Sequence, residues 1–169
     1  MLDSEKEKND HGEVMAGSIA AGISANNVST SSKTYFYDAS ISQIPQCPPS
    51  SARECDKNGW RFTLCPHTPS CFWPSAIRNP KRVAKNADES CSMWALSMYE
   101  TDSQATAAYS KLKKTIRNIK KAVGDHLSQG SITVDDGKCT PPSHSGHFDF
   151  HPYINSSFVS SFSVIRKLP

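Results

Sequence analysis

The residues best suited to chemistry lie near the C-terminal end, in GHFDFHPY, residues 146 to 153. Alternate side chains of an extended strand share a face, so His147, Asp149 and His151 project together. Phe148 and Phe150 then project to the other side and are expected to pack under a helix. A carboxylate beside an imidazole fixes its tautomer and raises its basicity, the arrangement a general acid or base needs. Asp149 is the expected orienter and His147 or His151 the proton-transfer group. The bland alternative is a solvated strand face with phenylalanines turned inward, a pattern that alternation alone produces. A metal shared by both rings is disfavoured. His147 and His151 stand about 13 Å apart at strand rise, whereas metal–nitrogen bonds are about 2 Å.

A second donor set lies upstream. Cys55, Cys65, His67 and Cys71 follow the spacing C-x9-C-x-H-x3-C. Three thiolates and an imidazole can close a tetrahedral zinc site, which would order a proline-rich loop with little core of its own. No cofactor is expected; zinc is the one that this donor set could hold. The spacing matches no zinc ribbon or finger, and the alternative is a loop of free or buried thiols. Six cysteines in all would suit three disulfides in a secreted chain. No convincing signal segment is present, so reduced thiols in a cytoplasmic protein are expected, with Cys91 a small core hydrophobe.

The third feature is KLKKTIRNIKK, residues 111 to 121, with six cations and no acid. Lys114, Arg117 and Lys121 could meet phosphates, joined by Arg78 and Arg82 from the RNPKR segment, while Tyr153 could stack a base. The alternative is the solvated face of an amphipathic helix. The net charge of +3 is too mild to imply nucleic acid by itself.

The elements that must position these groups follow from patterning. TYFYDASI, 34 to 41, is aromatic and reads as a strand. WRFTL, 60 to 64, alternates, with Trp60, Phe62 and Leu64 on one face and Arg61 and Thr63 on the other. SMWALSMY, 92 to 99, alternates again. From Thr101 a long helix is expected. Thr101, Asp102 and Ser103 offer caps, and Ala105, Ala108, Tyr109, Leu112, Ile116, Ile119 and Val123 form one stripe. His126 and Leu127 extend that stripe, which carries the helix through Gly124 to a C-cap at Gly130. Ile132 and Val134, HFDFH, and FVSSFSVI supply further strands, with DDG at 135 to 137 a turn. The sum is an α+β domain over 34–169. One long amphipathic helix lies on a mostly antiparallel sheet, with a Pro/Cys-rich ordered loop.

Residues 1–33 read as a disordered tail, charged at first and then rich in Ser, Asn, Gly and Ala, with Met15 an alternative start. No apolar run is long enough for a membrane helix. Phosphate-binding glycine loops and the nucleophile elbow are absent. An ADP-ribosyl transferase would need a late glutamate, and none follows Glu100. Two functions remain. One is a small binding or regulatory module that meets a protein or an anionic ligand, a nucleotide or nucleic acid. The other is a small enzyme, an RNA- or nucleotide-directed hydrolase or ADP-ribosyl-type transferase, using His147 or His151 with Asp149.

Overall fold

A computed structural model describes residues 33–169. The expected tail, save Lys33, lies outside the described residues. Among the described residues seven strands form one antiparallel sheet. They are β1 (Arg53–Glu54), β2 (Lys57–Thr63), β3 (Leu96–Tyr99), β4 (His126–Ile132), β5 (Gly137–Cys139), β6 (His147–Pro152) and β7 (Ser163–Lys167). Their order across the sheet is β1-β5-β6-β3-β2-β4-β7. Among the described residues five α-helices accompany them: α1 (Asp38–Ile41), α2 (Ser75–Arg78), α3 (Ala87–Trp94), α4 (Asp102–Thr115) and α5 (Ile119–Val123). The α+β class stands, but the single long helix does not.

The helix expected beyond Thr101 is three elements. Thr101 does cap it, its hydroxyl accepting from the Gln104 N–H at 3.2 Å. It ends at Thr115, and Ile116 is already extended. A short α5 follows, closed by Gly124 at φ +99°, where a Cβ would stand 2.1 Å from the Thr63 carbonyl oxygen. His126–Ile132 is then a strand, in register with β2 from Lys57↔Ile132 to Thr63↔His126. A complete ladder of backbone hydrogen bonds outweighs the weak helical preference of HLSQGSI. Gly130 is a strand residue rather than a C-cap. The Phe162 ring lies over it, 2.3 Å from where a Cβ would be.

Other boundaries also move. Residues 34 to 41 contribute one bridge, Tyr35↔Tyr153, and then α1. SMWALSMY divides at Ala95 between the end of α3 and β3, with Asn86 capping α3 through the Glu89 N–H at 2.8 Å. In FVSSFSVI, Phe158–Ser161 is a 3-10 turn and only the end is strand.

The faces of the sheet are reversed from expectation. Met98 pairs with Phe148 and Leu96 with Phe150, so these four share a face. Phe72, Phe158 and Phe162 cover that face from 3-10 turns, with Phe150–Phe158 ring centroids 5.0 Å apart edge to face. Tyr99 pairs with His147 and therefore shares the histidine face. Phe62, Tyr99, Ala105 and Tyr109 form one cluster there, which places α4 on the histidine side. The phenylalanines thus pack under turns, and the histidines lie beneath the helical layer.

Candidate functional site: a cationic cleft and a buried histidine

β2 and β3 pair only at Trp60↔Tyr99 and diverge beyond it. Arg61 fills the split. It is 7% exposed, although alternation assigned it to a polar face. Its guanidinium donates to the carbonyls of Cys71 (2.7 Å), Ser97 (2.7 Å) and Trp73 (3.2 Å). No carboxylate pairs with it among the described residues. Burial pulls its pKa down to about 10, and the nearby charge of Arg78 adds to the effect. It nevertheless stays charged at neutral pH. A buried cation without a counter-ion is costly, because its lost hydration is replaced only by neutral dipoles.

Above it opens a cleft of about 750 Å³, lined by Arg61, Arg78, Arg82, Lys121 and His147. Among the described residues no carboxylate lines it. Glu89 pairs with Arg82 from the flank at 2.6 Å, which leaves Arg61, Arg78 and Lys121 without an acidic partner among the described residues. Phe62, Trp73 and Tyr99 give the same cleft flat aromatic walls. Its volume is that of a small-molecule site. Burial lowers the Arg78 pKa as well, an indication that its head group is turned away from bulk water.

Of the expected anion contacts, Arg78, Arg82 and Lys121 converge, and the sequence did not single out Arg61. Lys114 and Arg117 are exposed and do not line the cleft. Tyr153 is buried, donates to Glu54 Oε1 at 2.7 Å, and lines a separate apolar pocket with Phe36, Trp73 and Val159. The basic segment is therefore divided. The break at Thr115 lets Lys121 on α5 line the cleft, although it stays exposed, and leaves Lys114 outside it.

His147, Asp149 and His151 do share a face, but not one environment. His147 Nε2 is 3.8 Å from Asp149 Oδ1, and His147 reaches the cleft. Burial pushes the Asp149 carboxyl above the usual aspartate range, against the weaker pull of the Ser92 hydroxyl and His147. His151 is 2% exposed and does not line the cleft. Burial pulls its pKa to about 4, so the ring is neutral at pH 7. Its Nε2 and Asp149 Oδ1 are buried without hydrogen-bond partners among the described residues. Beside His151 is a disulfide, Cys47–Cys91, where the sequence suggested reduced thiols and a hydrophobic role for Cys91.

The expected zinc donors are not gathered. Among the described residues, the one metal-competent cluster of His, Cys, Asp or Glu is Cys47, Cys91 and His151. His67 Nε2 is instead 2.7 Å from the Ser128 hydroxyl. Cys71 is buried and accepts from the Leu64 N–H at 3.3 Å. Cys65 is exposed, and Cys55 packs into the phenylalanine cluster. Cys55 and Cys71 pack into the phenylalanine cluster while Cys65 stays exposed and His67 meets Ser128, so spacing in sequence does not bring the four together.

No family model, no curated protein and no solved structure matches this chain. Among the described residues no helix is long and apolar enough to cross a membrane.

Proposed function

We propose that this chain is a binding module for a small phosphate-bearing ligand, with a nucleotide the best fit. The carrying observation is Arg61, a buried cation with no carboxylate partner among the described residues, at a cleft that also carries Arg78, Arg82 and Lys121. Phosphate oxygens would supply the missing negative charge, and guanidinium groups suit them through paired N–H donors. Three of the five Arg61 N–H groups are used by backbone carbonyls, so two remain for a ligand. Trp73 is 44% exposed at the cleft wall and offers a ring on which a base could stack. The cleft suits a compact ligand better than an extended strand, since Lys114 and Arg117 do not continue its charge.

Calorimetric titration with ADP and with inorganic phosphate at low ionic strength tests this reading. ADP is expected to bind saturably and more tightly than phosphate. Arg78→Gln with Lys121→Gln should weaken it at least about tenfold, the loss of two charge-assisted contacts. Lys113→Gln, on the exposed face of α4, should change nothing. Absence of saturable binding to either probe, or an equal loss in the Lys113 variant, would refute the proposal.

A second reading rests on His147, which reaches the same cleft with Asp149 behind it. In that case the bound phosphoester is hydrolysed, with His147 as acid or base. Phosphate release from ADP that stops in His147→Ala while binding persists would favour the enzyme over the binding module. For the compartment, a cytoplasmic setting remains a proposal, and there Cys47 and Cys91 would be held as thiols.

A further inference from the structure

The disulfide and the buried histidine do not belong to the cleft, and they carry an inference independent of it. We propose that Cys47, Cys91 and His151 form a zinc site that oxidation closes as a disulfide and reduction opens. One sulfur of each cysteine and a ring nitrogen of His151 all lie within 4.8 Å of one another. Tetrahedral zinc, with bonds of about 2.3 Å to sulfur and about 2.0 Å to nitrogen, spaces such ligand atoms about 3.5 to 3.8 Å apart. The adjustment required is therefore one of side chains.

The second, independent observation is the unpartnered nitrogen. His151 is 2% exposed, and its Nε2 meets no hydrogen-bond partner among the described residues. Buried polar atoms are nearly always paired, and an exception calls for a reason. A disulfide is a poor hydrogen-bonding neighbour and does not supply one. A metal bound by Nε2 does. The position is also held firmly. His151 lies on β6, paired with Lys138 of β5, and the Tyr35 ring stands against it edge-on with centroids 6.5 Å apart. Cys91 is fixed on α3, and Cys47 follows α1 in the loop. Two thiolates and an imidazole are borderline-soft donors that favour zinc over magnesium or calcium.

The chemistry balances. A dithiol transfers two electrons and two protons to the Cys47–Cys91 bond and becomes a disulfide itself. The two new thiols then lose their protons to solvent as two zinc–sulfur bonds and one zinc–nitrogen bond form. Water takes the fourth position. Cys55, Cys65, Cys71 and Cys139 are free thiols elsewhere and play no part.

The test uses the full chain, reduced with dithiothreitol, desalted without oxygen, and titrated with cobalt(II) and then zinc(II). One equivalent of cobalt is expected, with thiolate charge-transfer bands and the intense visible bands of tetrahedral coordination, both displaced by zinc. Oxidised protein should show neither. Zinc should shield Cys47 and Cys91 from iodoacetamide, read by mass spectrometry, while Cys65 stays reactive. His151→Gln should weaken cobalt binding at least tenfold. An unchanged spectrum in that variant, or shielding of the other cysteines instead, overturns the proposal. So does a reduced chain that takes up no stoichiometric metal, or one that unfolds on reduction and is not restored by zinc. If His151→Gln fails to fold, the shielding pattern of the wild type still decides. The outcome is separate from ADP binding, which the cleft variants report.

Discussion

The two ends of β6 carry the same side chain on the same face and make opposite uses of it. At one end His147 is half-buried and opens into a cleft of arginine and lysine. At the other end His151 is sealed under α3 beside a disulfide, neutral and without a partner for Nε2. Sequence position within the strand does not distinguish them. What does is the layer above. α3 and the Tyr35 ring close over His151, whereas His147 stands beside Tyr99 on the wall of the cleft. A histidine becomes a cleft-facing or a sealed group through the element laid across it.

Removing the clasp at the sealed end should have the largest effect. The disulfide joins residues 44 apart, and the chain-entropy account gives its loss as about 4 kcal/mol. Cys91→Ala should lower stability by that order in urea unfolding under oxidising conditions. Under reducing conditions without metal, the difference from wild type should shrink to the cost of a small cavity. An equally large difference in both conditions would mean that the bond contributes little.

A smaller effect separates the two rings by pH. The His151 pKa lies near 4 in the folded chain and near 6.5 when exposed. Because the folded value is depressed, the unfolded chain binds more protons between these values. Stability is then full above pH 6.5 and declines as pH falls towards 4, by up to about 3 kcal/mol. Unfolding curves of His151→Gln should lack this decline, whereas those of His147→Gln should keep it. If both variants retain it, the burial of His151 is not its source.

The smallest effect belongs to the open end. His147→Ala should change stability by no more than about 0.5 kcal/mol, as expected of a partly exposed side chain. Its consequence should appear in phosphate release from ADP instead. A large loss of stability would make His147 a core residue like its neighbour.

The sequence was a good guide to membership of the core and a poor one to continuity. The stripe Ala105, Tyr109, Leu112, Ile116, Ile119 and Val123 does enter a single cluster. A short α5 places Ile119 and Val123 in the same cluster that a longer helix would have reached, so helical spacing was satisfied without one helix. The strand His147–Pro152 and its alternation were also legible. Which face met the helices was not, because period two reports that two faces differ and not what covers either. Arg61 was hidden for a similar reason: a lone arginine in an alternating strand looks like a solvated residue until the neighbouring strand leaves it. Arg78, Arg82 and Lys121 were visible as cations. Their convergence depends on the break after Thr115, which tertiary pairing of β4 with β2 imposes. Cys47 and Cys91 carry no local motif, and only the fold brings them together.

The strand order has a kinetic consequence. β2 meets β3 and β4, β1 meets β5, and β4 meets β7, so almost every ladder joins segments distant along the chain. Such topologies close large loops before they gain contacts, and comparable domains fold in milliseconds to seconds rather than microseconds. A nascent chain that has emerged only as far as α4 holds β2 without β4 and Phe72 without its phenylalanine partners. It would be a substrate for chaperones until the last third of the polypeptide arrives.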